Sequence, residues 1–275
     1  MRHQHSYSTT AIVLKRTDVG EADRILTLFT PHKGKVHVIA KGVRRFTSKR
    51  AGHLELLSHS LLQMALGRNL DIVTQAEVRE NFLHLRSELW HMTCGFYLAE
   101  LVDRFIEEHT QHLDVYNLLL ETLRSLEADA LELQRQRAQG VVSPEQLYRR
   151  TKLLMRYFEL HLLFYIGYEP ALQTCAHCAS ELRAQENGFK ASLGGVLCPQ
   201  CSRFWERSLS VKALRTLLLL RRNVWADIPF QRLEVHLDTR LEAELEAVLH
   251  GLLRFHLERD LKSWSFLEML QQPSA

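Results

Sequence analysis

No stretch of this 275-residue chain approaches the roughly 18 consecutive apolar residues that a membrane span requires. The leucine run Leu217–Leu220 is hemmed in by Arg215, Arg221 and Arg222. The opening Met1-Arg2-His3-Gln4-His5 leads into polar residues, without the apolar segment of a signal peptide, so a cytoplasmic protein is expected. The signatures of common catalysts are missing as well. There is no GxxxxGK[ST] phosphate loop, no HExxH and no GxSxG. Fifteen histidines are scattered, with no pair at i, i+4 beside a carboxylate. His109 and His112 read as solvent-facing at a helix end, and Glu21 and Asp23 beside Arg24 as ion-pair or turn residues. These absences point away from an enzyme, although a site assembled from distant residues leaves no motif.

What is present is an uneven distribution of charge. Residues 1–85 hold 13 Lys and Arg against 7 Asp and Glu, whereas residues 86–275 hold 22 against 25. A net charge of +3 therefore conceals a basic N-terminal part, which suggests a localised polyanion-binding face.

The hydropathy pattern changes period along the chain. From about Ser8 to Arg79 it alternates with period two, over Thr10–Lys15, Asp23–Thr30, Lys35–Lys41, Leu54–Leu66 and Ile72–Val78. Turn signals at Asp18-Val19-Gly20, Pro31-His32-Lys33-Gly34 and Gly67-Arg68-Asn69 separate these runs. Five short strands predict a small barrel over residues 1–80. An OB-fold or an SH3-like barrel satisfies the pattern. After Asn81 the period becomes helical, and residues 81–275 read as a mostly helical domain, making the whole chain α+β. Helices are predicted over Glu88–Glu108, Asp114–Glu127, Ser143–Ile166, Ser208–Arg222 and from Thr239 to about Lys262. The Ser143-Pro144-Glu145-Gln146 start combines a Ser cap, Pro at the first helical position and Gln three residues on. Glu132–Val142 reads as a connection or a frayed helix end.

Four of the five cysteines form Cys175-Ala176-His177-Cys178 and Cys198-Pro199-Gln200-Cys201, 19 residues apart. Two CxxC turns each present two thiolates, and Zn²⁺ takes four ligands in a tetrahedron. Cys175, Cys178, Cys198 and Cys201 are therefore read as the ligands of a structural zinc in an insertion at about residues 172–205. His177 is an alternative ligand within the first knuckle. Four thiolates leave no open position for water, so hydrolysis at the metal is not expected. Cys94, placed mid-helix, reads as a core residue.

Between Lys33 and Arg50 seven cations stand with no intervening acid. Arg24, Lys35, Lys41, Arg44, Arg45, Lys49 and Arg50 are read as a surface that follows a phosphate backbone without reading bases. Phe46, within this run, is suited either to stack on a base or to plug the loop. Arg149, Arg150, Lys152 and Arg156 either extend the surface or form a solvated helix face.

Taken in order, these segments resemble the RecO family of bacterial DNA-repair proteins over most of the chain. The resemblance runs through Gly20-Glu21-Ala22-Asp23-Arg24-Ile25-Leu26-Thr27-Leu28-Phe29-Thr30, Gly34, Ala40-Lys41-Gly42-Val43-Arg44-Arg45 and Ser48-Lys49-Arg50. It continues through Gly67-Arg68-Asn69-Leu70, Ala76-Glu77, Ile166-Gly167-Tyr168-Glu169-Pro170-Ala171-Leu172 and Leu261-Lys262-Ser263-Trp264-Ser265-Phe266-Leu267. Ala179 stands where the family usually has glycine, and Glu55-Leu56-Leu57-Ser58-His59 departs from its usual proline-containing form. The resemblance implies an N-terminal OB-fold, a helical C-terminal domain and a zinc knuckle. It also implies a nucleoid-associated mediator without catalytic residues that binds single- and double-stranded DNA and anneals complementary strands. The implied partners are a ring-forming RecR-type protein and the tail of single-strand-binding protein, in loading the RecA recombinase. An RNA-binding OB-fold and zinc-knuckle protein is the competing reading.

Overall fold

The computed structural model describes residues 6–140, 144–203, 208–228, 238–258 and 260–271. They fall into two compact units, Met1–Gln134 with Leu261–Ala275, and Arg135–Asp260.

In the first unit, β-branched and alternating residues build five strands: β1 (Ser6–Val19), β2 (Asp23–Thr30), β3 (Gly34–Ala40), β4 (His59–Ala65) and β5 (Asp71–Glu80). The alternation sends Val13, Leu26, Leu28, Val36, Val38, Leu62, Met64 and Val73 into one core. Strand β1 pairs antiparallel with β4 through its first half, from Ser6↔Ala65 to Ile12↔His59. Its second half pairs with β2, and the register shifts between Val13 and Lys15. Such a bulge bends a strand, and here it lets one long strand close the barrel. A short parallel pairing, Val38↔Asp71 and Ile39↔Ile72, joins β3 to β5. The closed order β1-β2-β3-β5-β4 is that of an OB-fold and removes the SH3-like alternative.

The β2–β3 turn needs glycine. Gly34 has φ +62°, and a Cβ there would lie 1.9 Å from the Thr110 carbonyl oxygen. Left-handed backbone and a backbone clash act together, so Gly34→Ala is expected to destabilise this unit by about 3 kcal/mol. A urea titration of the variant reads that loss as a lower midpoint.

The segment predicted as one strand from Leu54 to Leu66 is not continuous. Ala51–His53 forms a 3-10 turn, Leu57 takes φ 66°, and pairing begins only at His59. Leu57 is fully buried, and its N–H donates to the Val13 carbonyl at 2.8 Å. Its side chain occupies the space that a Cβ on Gly95 would claim, 2.6 Å from Leu57 Cδ1. Seating this leucine requires the break, which strand periodicity does not encode.

Helices α1 (Leu83–Ser87), α2 (Leu89–Phe105) and α3 (Leu113–Ala138) follow the barrel. Cys94 is buried in α2, as expected of a core residue. Helix α3 is longer than predicted and carries Glu132 to Ala138 in helical form. Buried Ala130 and Leu133 continue its apolar face, and the intervening Glu, Gln and Arg are good helix formers. The Tyr116 hydroxyl donates to Thr10 Oγ1 at 3.2 Å and lies 3.0 Å from His59 Nε2. Arg124 grips Glu80 with Nε at 2.6 Å from Oε2 and Nη2 at 2.8 Å from Oε1. This grip, against partial burial and with help from His59, holds the Glu80 carboxyl below its ordinary range.

The second unit contains α4 (Pro144–Tyr165), β6 (Asn187–Lys190), β7 (Gly195–Leu197), α5 (Pro199–Ser202), β8 (Ser208–Leu209), α6 (Val211–Arg222) and α7 (Thr239–Leu257). Ser143 lies outside the described residues. Helix α4 ends as its sequence indicates, with Gly167 at φ +82° and the Tyr168 N–H returning to the Leu163 carbonyl at 2.7 Å. The predicted Ser208 start is displaced. Ser208 and Leu209 join β6, and Ser210 caps α6 by accepting from the Ala213 N–H at 3.1 Å. Asp238 caps α7 by accepting from the Leu241 N–H at 2.7 Å. Glu258, at φ 52°, ends that helix before Lys262, and a separate α8 (Lys262–Gln271) begins there in the first unit. Glu100 caps α8, accepting from the Lys262 and Ser263 N–H groups at 3.1 and 2.8 Å.

Candidate nucleic-acid interface and metal centre

The loop leaving β3 at Lys41 is a built structure. Val43 is buried and anchors it, and the Gly42 N–H donates to Asp23 Oδ1 at 2.7 Å. Successive turns follow, with Arg45 N–H to the Gly42 carbonyl at 3.2 Å and Ser48 N–H to the Arg45 carbonyl at 2.9 Å. Arg50 then clamps the loop to the barrel, donating to the Val73 carbonyl at 2.5 Å and the Lys41 carbonyl at 2.6 Å. Lys41, Arg45, Lys49 and Arg50 line an open concavity of about 630 Å³, with Thr47, Ser48, His53, Thr74 and Gln75 completing it.

The seven cations singled out in the sequence are thus dispersed among three roles. Lys41, Arg45 and Lys49 are exposed around the concavity, and Arg50 supports it. Arg24 donates to Asp18 Oδ1 at 2.8 Å, while Arg44 lies 3.3 Å from Asp18 Oδ2 and donates to the Gly20 carbonyl at 3.1 Å. The hydrogen bond from Arg24, with the charges of Arg24 and Arg44, holds the Asp18 carboxyl below its ordinary range. Lys35 does not join the others. Its side chain is buried, with Nζ 2.5 Å from the Asp103 carbonyl and 3.4 Å from Asp103 Oδ1. Alternation sends Lys35 out of the barrel as the pattern requires, but the end of α2 covers that side.

Thr74 and Gln75, on β5, were not singled out from the sequence. Only the closure of the barrel brings them beside a loop some 25 residues earlier. Among the N-terminal aromatics, Phe29 is fully buried and Phe46 is 106% exposed. The loop-plug reading of Phe46 is therefore set aside. Leaving such a ring in water forgoes roughly 1.5–3 kcal/mol of burial. Three of the α4 cations are engaged in ion pairs. Lys152 and Arg149 approach Glu242 of α7 at 3.1 and 3.6 Å, and Arg156 pairs with buried Glu159 at 2.7 Å.

In the second unit the two CxxC turns meet. The Sγ atoms of Cys175, Cys178, Cys198 and Cys201 lie within 4.8 Å of one another, and Cys178 and Cys198 are 3.9 Å apart. Four sulfurs bound at about 2.3 Å around one tetrahedral ion would stand about 3.8 Å apart, so the cluster fits a metal. The Cys198 N–H points at Cys175 Sγ at 3.3 Å, and His177 Nδ1 lies 3.6 Å from Cys201 Sγ. His177 thus sits beside the sulfurs and outside the four-sulfur set.

The thiols do not ionise alike. Burial opposes ionisation of Cys175, but N–H donors from Cys178, Cys198 and His177 bring it down to about 6. Cys201, hydrogen-bonded to Cys198 and close to the other sulfurs, is pushed up to about 12. Crowded thiolates repel, and a cation is what permits all four to be ionised together.

Ala179 follows the first knuckle at φ 58°, where its N–H donates to the Cys175 carbonyl at 2.9 Å. This is the turn position at which the resemblance leads one to expect glycine. Ala179→Gly is expected to stabilise the knuckle by about 0.5–1 kcal/mol, measured as a rise in the thermal midpoint of the protein.

A closed OB barrel with a preorganised basic loop, continuing in sequence into a helical part with a four-cysteine cluster, has the features of a nucleic-acid-binding protein with the donor set of a metal site. The family model described as "Recombination protein O N terminal" matches residues 1–82, and "Recombination protein O C terminal" matches 86–137 and 145–265. The chain belongs to this family of DNA repair and recombination proteins. It is 38% identical over 270 residues to "DNA repair protein RecO" of Roseiflexus sp. (strain RS-1), covering 97% of this chain and 86% of the relative. To the protein of the same description from Dehalococcoides mccartyi (strain ATCC BAA-2266 / KCTC 15142 / 195) it is 34% identical, with 99% of both chains covered. The Symbiobacterium thermophilum protein, also "DNA repair protein RecO", is 35% identical, with 96% of this chain and 98% of that one covered.

Proposed function

We propose that this chain is a recombination mediator with no catalytic centre of its own. The barrel, residues 1–80, holds single- and double-stranded DNA through Lys41, Arg45 and Lys49, with Arg50 beneath them and Arg24 and Arg44 beside Asp18. The observation that carries this reading is the three exposed cations, without an ion pair among the described residues, around a concavity that no carboxylate lines. Contacts to phosphates set affinity without reading bases. Two complementary strands screened on such a surface repel each other less, which favours annealing. Residues 81–275 form the helical part, with a zinc insertion at about 172–205. There Zn²⁺ held by Cys175, Cys178, Cys198 and Cys201 is structural, since four thiolates leave no position for a reacting water.

In this reading the protein acts on DNA coated by single-strand-binding protein and takes up that protein's acidic tail. It works with a RecR-type ring protein in recombinase loading, in the cytoplasm and at the nucleoid. Among the described residues no helix is long and apolar enough to cross a membrane. A strand-annealing assay on complementary oligonucleotides coated with single-strand-binding protein tests the reading. Faster annealing is expected, and no acceleration would count against it. Matched DNA and RNA oligonucleotides separate it from an RNA-binding role, which a strong preference for RNA would favour.

A further inference from the structure

We infer that Phe46 is a stacking platform that gives the barrel a preference for single strands, a reading that rests on the DNA-binding function proposed above. Three aromatic side chains belong to the sequence of the N-terminal barrel and its loops, Tyr7, Phe29 and Phe46. The structure withdraws two of them. Phe29 is fully buried. Tyr7 donates its hydroxyl to Asp71 at 2.7 Å, and Lys33 Nζ covers its ring 3.3 Å from the centroid. Phe46 alone of the three presents both faces, at 106% exposure.

Its position is chemically specific. Phe46 directly follows Arg45 and stands between the cations Lys41 and Lys49, all three of which line the concavity. The turn from Arg45 to Ser48 and the Arg50 clamp hold its backbone in place before any ligand arrives. A strand whose phosphates lie on these cations brings its bases past the ring. In a single strand a base is free to turn onto the ring, and every base has a π-face, so the contact is sequence-tolerant. In a duplex the bases are already stacked, and the ring meets only backbone. The cations therefore serve both forms of DNA, whereas Phe46 serves one.

Stacking on an aromatic side chain corresponds to about ten-fold or more in affinity. Unlike a phosphate contact, it releases no counterion. The experiment uses the full-length protein with zinc and its Phe46→Ala and Phe46→Trp variants. Each is titrated with a labelled oligothymidylate and a blunt duplex hairpin at several salt concentrations. Phe46→Ala should bind the oligothymidylate about ten-fold more weakly with an unchanged salt slope, and the duplex within two-fold of wild type. Phe46→Trp should restore single-strand affinity, and its fluorescence, taken as the difference from wild type, should be quenched by oligothymidylate and not by duplex. If wild type binds DNA and Phe46→Ala binds both forms as wild type does, or loses both equally, the stacking role is overturned while the charged surface stands. If wild type binds neither form, the DNA-binding reading falls and this inference with it.

Discussion

Cys198→Ser is expected to strip the metal from the protein. Elemental analysis should find about one zinc per wild-type chain and close to none in the variant. Structural zinc sites bind with an apparent free energy of about 10–16 kcal/mol near neutral pH, which makes this the largest single effect anticipated. Part of the knuckle has other supports. Strand β6 pairs with β7 and β8, and the Ala171 backbone is tied to the start of β7, its N–H donating to the Gly194 carbonyl at 2.9 Å and its carbonyl accepting from the Val196 N–H at 2.9 Å. Loss of metal should therefore open the knuckle locally, with new protease cleavage between Thr174 and Arg203 and a lower thermal midpoint. A chelator should reproduce this in the wild type. Acid should too, because falling pH returns protons to thiolates that the metal requires ionised. Full zinc retention in the variant would show that the ligand set is wrong.

The second large effect concerns charge. Arg45→Glu combined with Lys49→Glu should weaken DNA binding about 100-fold at low salt, uniformly across sequences. Each lost phosphate contact lowers the salt slope by about 0.7 on a single strand and about 0.9 on a duplex. The double variant should therefore show a slope flatter by about 1.4 on single strands. Both side chains are exposed around the concavity, so folding should be little affected. Lys35→Gln provides the contrast. Its ammonium is committed to Asp103, so this change should lower stability and leave the salt slope as it was. Unchanged slopes in the double variant would remove the concavity from the DNA surface. A changed slope in Lys35→Gln would show that the buried lysine reaches DNA after all.

The contrast between Arg45 and Lys35 shows where sequence reading is strong and where it stops. Both belong to the same acid-free run of cations. Local composition places that run near a surface, because charge is costly to bury unpaired. It cannot say that the end of a helix some 70 residues later lies over one of them. Leu57 makes the same point for backbone. It occupies a left-handed conformation that its residue type disfavours, with its N–H held by the carbonyl of Val13, far earlier in the chain. The end of α3 departs in the other direction. Its polar residues read as a connection or a frayed helix end, because buried Ala130 and Leu133 are sparse among charged neighbours, and the helix continues through them to Ala138.

By itself the sequence determined the strand-to-helix order, the four cysteines and the acid-free basic run. Each depends on spacing within a short segment, where period two, period 3.6 and the CxxC turn act locally. Tertiary structure alone decided that β3 meets β5 to close an OB barrel and that Thr74 and Gln75 share a concavity with Lys41, Arg45 and Lys49. It also decided that four sulfurs from two turns stand within 4.8 Å of one another. These are contacts between residues far apart in the chain. They are set by which faces bury together, and no local pattern carries that information.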